Sequence, residues 1–233
     1  MVLDPVRGGR LASWTVDGQE LLVGAPDDVD ASIHWGCFVM APWPGRLAGG
    51  RFEWRGTTIR LRQTHGRHAI HGVTWNRRWT VESATAGAAT LSIELPRDEW
   101  PMGGRVRQRF EVTPTGLRLD AEIEAVEGRT DLRAGPRLGV RRLDLAYVAA
   151  RSPVVITWPD LELRIAFEPS PAPLVVYTPA ASICVEPLTA TPNALALAPA
   201  MRRSAGVRIL AAGESLRAGM TLAWHAVDTP SGY

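Results

Sequence analysis

Three stretches hold side chains whose types and spacing could do chemistry. The first is THGRHAIHG, residues 64–72, which carries His65, His68 and His71, three of the five histidines in the chain. Three imidazoles can bind zinc. An i, i+3 spacing, however, sends successive side chains to opposite faces of a strand, and Gly66 and Gly72 argue against a helix that would gather them. There is no H-E-x-x-H motif and no cysteine pair at ligand spacing. No metal is therefore expected, and an exposed turn accounts for His65. The second stretch is CVEPLTATPNAL, residues 184–195, where Glu186 interrupts an otherwise apolar strand just before a proline. Such a carboxylate is either a paired structural acid or a base that burial has lifted toward neutral pKa. Spacing leaves both open. The third is PWPGRL, where Arg46 follows a tight Pro-Gly turn. It reads either as a surface arginine or as a planar fork able to grip hydroxyls or a carboxylate.

Composition limits the frame around these residues. The chain has 233 residues, 45% of them hydrophobic, enough for one full core, so 1–233 is expected to be a single domain. Its 22 glycines and 18 prolines are spread throughout, which disfavours long helices and favours short strands joined by turns. No apolar run approaches the ~18 residues of a membrane span, and MVLDPVRGGR has no apolar signal region. A soluble, cytoplasmic protein without a membrane partner is the expectation. Cys37 and Cys184 are too few for a disulfide framework. All 26 basic residues are arginine, so there is no lysine for a Schiff base, a pyridoxal anchor or a Walker motif. The arginines are scattered and 24 acids balance them, so no nucleic-acid partner is expected.

The elements that must position these side chains read as strands. RFEWR and TTIRLR flank Gly56, RWTVESA and ATLSIEL flank TAGA, and GRVRQRFEV and LRLDAEIEAV flank TPTG. In the last pair Val106, Gln108, Phe110 and Val112 share one face, opposite Arg105, Arg107 and Arg109. Leu117, Leu119, Ala121 and Ile123 oppose Arg118, Asp120, Glu122 and Glu124. That period of two marks half-buried antiparallel strands. PVVITW, LELRIAF, LVVYT, SICVEP and MTLAWHAV continue the pattern, and TPNALALA offers one short helical turn. The fold class is all-β, an antiparallel sandwich with little helix. Before the first clear hairpin lies HWGCFVMAPWPGRLAGGRF, a loop rich in Trp, Pro and Gly. It is either an ordered cap on the sandwich or a functional loop on a rigid scaffold.

Taken together, these stretches resemble the aldose 1-epimerase (galactose mutarotase) family. GGRLASWTVDGQELLVG resembles its opening strands, GCFVMAPWPGRLAGGRFEWRG its proline-rich loop, HAIHG its first histidine motif, VVYTPAASICVEPLTATPNAL its general-base segment and LRAGMTLAWH its last strand. The likeness covers most of the chain in the family's order. It implies a supersandwich of the galactose mutarotase type with no cofactor and a small-molecule sugar as partner. It implies that Glu186 is the general base, that His71 hydrogen-bonds the sugar near the reacting centre, and that Arg46 holds its hydroxyls. His68 would support the same site, Asp144 in RRLDLAYV matches a sugar-binding aspartate, and Trp43, Trp75 and Trp35 are stacking surfaces or core.

One departure stands out. The family carries a second histidine, the general acid, after the central hairpin, whereas here the chain runs DLRAGPRLGVRRLDLAYV with no histidine between His71 and His225. The chain is shorter than typical members at this place, and it opens almost at GGRLAS, where relatives have another strand. Losing a general acid typically costs ~10²–10⁴ in rate. His71, His68 or Tyr147 could donate instead, or an ordered water could suffice. A non-catalytic sugar-binding module is the alternative, and a site for phosphorylated sugars or a pocket recruited to other chemistry stand behind it. Absent strands leave edges to cover, and a homodimer is one way to cover them.

Overall fold

The computed structural model describes residues 1–26, 33–125, 144–158, 161–178 and 182–227. Short strands fill the N-terminal third: β1 (Val2–Asp4), β2 (Arg10–Ser13), β3 (Thr15–Val16), β4 (Gln19–Glu20), β5 (Arg46–Leu47), β6 (Arg51–Trp54), β7 (Thr57–Arg60) and β8 (Ala69–Ile70). Longer strands follow: β9 (Thr80–Ala84), β10 (Ala88–Glu94), β11 (Arg105–Thr113), β12 (Gly116–Glu124), β13 (Asp144–Ala150), β14 (Val154–Thr157), β15 (Leu161–Glu168), β16 (Ala172–Tyr177), β17 (Cys184–Pro187) and β18 (Ser215–Ala226). Among the described residues the helical content is α1 (Pro199–Arg202) and three single 3₁₀ turns, one of them at Ala194–Ala196 inside TPNALALA. The hairpins expected around Gly56, TAGA and TPTG all form.

An antiparallel seven-stranded sheet runs β14-β15-β18-β12-β11-β10-β9. The alternation in β11 and β12 sorts their side chains. Val106, Phe110 and Leu117 are at most 1% exposed, while Arg105 and Arg107 on the opposite face grip Glu82 of β9. Gln108 is the polar member of the inner face, and its amide donates to the Gly9 carbonyl, which removes the penalty of burying it. Val112 departs from the expectation. It shares that face yet is 50% exposed, because it sits at the hairpin end of β11, past the cover of the second layer.

That second layer includes an antiparallel three-stranded sheet, β13-β16-β17. Ala172, Leu174 and Val176 turn one of its faces into the core shared with Phe110, Leu117, Ile165 and Leu222. The register sets the other face. Asp144 lies opposite Tyr177, and Tyr177 opposite Cys184. Ala146 lies opposite Val175, and Val175 opposite Glu186. Because side chains alternate, Asp144, Tyr177, Cys184 and Glu186 all project on the side away from that core. The histidine-free stretch DLRAGPRLGVRR, residues 131–142, lies outside the described residues.

Candidate active site

His71 is placed by an unusual piece of backbone. Strand β5 pairs with β8 through Arg46 and Ile70, which sets Arg46 beside the residue that follows β8. The His71 amide donates to the Gly45 carbonyl at 3.0 Å. His71 and Gly72 then take successive left-handed conformations, φ 58 and 73. A Cβ on Gly72 would stand 1.9 Å from the Ala41 carbonyl oxygen, so only glycine admits this approach. The turn swings the imidazole out of the β8 ladder, edge-on to Phe38 at 5.9 Å between ring centroids. Its Nδ1 is enclosed with no hydrogen-bond partner. Burial first, then the charges of Arg46, His34 and His65, push its pKa down to about 4. The ring is neutral at pH 7.

Glu186 comes from the opposite wall. Burial, reinforced by the negative charge of Asp144, lifts its carboxyl to about 7. It is therefore poised to hold or release a proton near neutral pH, which is what a general base requires. Cys184 on the same face is raised by burial and by Glu186. Cys37, facing from the N-terminal loop, is raised to about 11 by burial, and the same glutamate adds to it. Both thiols are free and protonated at neutral pH.

A third wall is the segment that leads from His34 to Arg46, and a buried arginine anchors it. Arg10 is 2% exposed. Its guanidinium donates to the carbonyls of Arg7 at 2.7 Å, Trp35 at 2.7 Å and Trp75 at 2.8 Å. It also stacks on the rings of Trp35 and Phe38, at 4.2 and 4.6 Å. One side chain thus ties the His34 segment to the strand region after His71. Cys37 bridges to Leu11 of β2. At the far end, Asn193 Oδ1 accepts from the Ala48 amide at 2.9 Å, which binds the β5 turn to the loop after β17.

These walls enclose a cavity of about 1470 Å³. Of the residues that the sequence pointed to, Glu186, His71, Arg46, Asp144 and Trp43 line it. Trp43 is 5% exposed and packs on Trp100 at 5.7 Å, so it is wall rather than open platform. His68 and Trp75 do not line the cavity. The His68 imidazole accepts from the Gly49 amide at 3.3 Å, and its backbone closes the turn onto His65. Trp75 is buried behind Phe38. Tyr147 also stays away, because its position in β13 turns it toward the core. His65 is exposed in its turn, in line with the sequence reading, and it lies on the cavity rim. Trp35 lines it beneath Arg10. Among the described residues no three His, Cys, Asp or Glu side chains are grouped to hold a metal.

Two cavity residues had no spacing signal at all. His34 stands at the start of the loop and its ring lies 6.2 Å from that of Tyr177 on β16. Only the aromatic density of HWGCF hinted at that segment.

A family model described as aldose 1-epimerase matches residues 5–135, more than half of the chain. The matched span holds Arg46, His68 and His71, and Glu186 and Asp144 lie beyond it. A 91-residue stretch is 32% identical to the uncharacterized protein YihR of Escherichia coli, covering 38% of this chain and 29% of that protein. The fold is similar to that of a candidate aldose 1-epimerase of Escherichia coli K12, with a TM-score of 0.77 over 94% of each chain at 20% identity. It is similar also to the galactose 1-epimerase of Lactobacillus acidophilus, with a TM-score of 0.67 over 94% of this chain and 89% of that one at 14% identity.

Proposed function

The chain belongs to the aldose 1-epimerase family, and from that premise we propose that it interconverts the α and β anomers of an aldose or a simple derivative. The observation that carries this reading is Glu186, raised to about 7 and facing a neutral histidine and an arginine across one cavity. Anomerisation needs a base to take the proton of the C1 hydroxyl while an acid protonates the ring oxygen. The C1–O5 bond breaks, the carbonyl carbon turns, and the steps reverse on the other face. Ionised Glu186 is the base. His71 has Nδ1 enclosed, so its Nε2 is the nitrogen left to hydrogen-bond a sugar oxygen. Arg46 at the rim offers its donors to ring hydroxyls, and Asp144 accepts from a further hydroxyl.

The test is polarimetric equilibration of α-glucose and α-galactose by wild type and Glu186→Gln. The variant should lose on the order of 10²–10⁴ in kcat. Equal rates across several sugars would remove the proposal. A second reading, saturable sugar binding without turnover, is favoured by the lack of any histidine between His71 and His225. Calorimetric binding combined with a wild-type rate no faster than buffer would select it. Free Cys37 and Cys184 support a reducing, cytoplasmic setting. Among the described residues no helix is long and apolar enough to cross a membrane. A homodimer formed over the sheet edges β9 and β14 completes the proposal, and a monomeric sedimentation profile at micromolar concentration would remove it.

A further inference from the structure

The ring oxygen needs a proton, and the family's usual donor position has no histidine here. The five histidines of the chain can be sorted by place. His225 lies near the end of β18, exposed and opposite Glu162, and is not part of the cavity wall. His68 is engaged in its own turn. His71 is held neutral down to about pH 4, which leaves it a hydrogen-bonding group rather than an acid at pH 7. His65 and His34 remain, both lining the cavity.

Geometry separates these two. His34 reaches both walls. Its ring lies 6.2 Å from that of Tyr177 at a 36° tilt, and Tyr177 sits between Asp144 and Cys184 in the register of the carboxylate sheet. On the other side its charge is felt by His71. Three residues on, Cys37 lines the same cavity as Glu186. His65 belongs to the His71 wall, in a turn closed by its own backbone bonds to His68. The His34 segment is also fixed, because the next carbonyl, that of Trp35, is bound by buried Arg10. The imidazole itself is exposed, where a sugar can reach it and where solvent can reprotonate it.

We infer that His34, steadied by Tyr177, is the proton donor to the ring oxygen, supplied from the N-terminal loop in place of the central histidine. The step balances. His34 gives a proton to O5 as C1–O5 breaks and Glu186 receives the C1 hydroxyl proton. On closure O5 attacks C1, its proton returns to His34, and Glu186 gives its own to the new hydroxyl. The inference rests on the epimerase reading above.

The experiment is steady-state polarimetry on wild type, His34→Ala, His65→Ala, Tyr177→Phe and Glu186→Gln, each with and without added imidazole. Thermal melts check that every variant is folded, and exposed His34 can be truncated without opening the core. For His34→Ala, kcat should fall about 10²-fold or more with KM changed less than about threefold, and added imidazole should restore at least tenfold with saturation. Glu186→Gln should show no such rescue, and His65→Ala should lose far less than His34→Ala. His34→Ala at near wild-type kcat, or a loss that imidazole does not rescue, overturns the assignment and leaves the epimerase reading standing. So does a loss confined to His65→Ala or Tyr177→Phe. Wild type no faster than buffer removes the epimerase reading and the donor with it.

Discussion

At the scale of single residues, two pKa values displaced in opposite directions define the site. Glu186 holds its proton to about pH 7, and His71 stays unprotonated to about pH 4. If Glu186 is the base, kcat/KM should climb about tenfold per pH unit below 7, and the acid limb of the pH–rate profile checks this directly. The same shift predicts a stability change. A carboxyl whose folded pKa is raised binds its proton more tightly in the fold than in the unfolded chain. The folded state therefore loses stability as pH climbs from 4.5 through about 7. Glu186→Gln removes that loss. Urea midpoints should show the variant more stable than wild type at pH 8, by up to about 3 kcal/mol, and similar at pH 4. For His71, asparagine is the informative replacement, because it tolerates the left-handed backbone at φ 58. His71→Asn should stay folded and lose sugar affinity more than it loses structure.

Elements set where these residues meet, and Arg10 is the joint between them. It binds the carbonyls of the His34 loop and of the segment after His71 at once. Arg10→Met keeps much of the stacking volume but leaves three carbonyls without their donor. Each lost hydrogen bond to a charged group costs about 1.5–3 kcal/mol, so denaturant melts should show a loss of at least about 3 kcal/mol. Any residual activity should carry a raised KM, since two walls of the cavity are no longer tied. Gly72→Ala is a test of the turn itself. It forces a Cβ to 1.9 Å from the Ala41 oxygen at φ 73 and should destabilise by roughly 2 kcal/mol or more. The hairpins around Gly56, TAGA and TPTG were legible from alternation and turn residues, because period and turn chemistry are local properties. The exposure of Val112 was not legible, because burial at a strand end depends on how far the opposing layer extends.

For the whole molecule, stability against pH should follow from both displaced groups together. His71, with its pKa lowered, contributes stability that is present above 6.5 and lost as pH falls toward 4. Glu186 acts with the opposite slope over much of the same window. The wild-type melting temperature should therefore change little between about pH 4.5 and 6.5. Glu186→Gln should unmask a rise with pH and His71→Asn a fall, and calorimetry across that window reads both. Parallel slopes in the two variants would count against the site electrostatics described above.

What the sequence determined by itself was the all-β class, most strand positions, and the group Glu186, His71 and Arg46 as the residues to watch. Those follow from local patterning and from short segments whose order resembles a family. Tertiary structure decided which of the candidates share a cavity. His68 and Trp75 fall outside it because one closes a turn and the other packs behind Phe38. His34 and Tyr177 enter it though 143 positions separate them in the chain. Strand register carries Tyr177 to the face of Glu186, and Arg10 pins the loop of His34 beside it. No spacing rule reports such a meeting, because it is made by register, burial and a single guanidinium acting across distant segments.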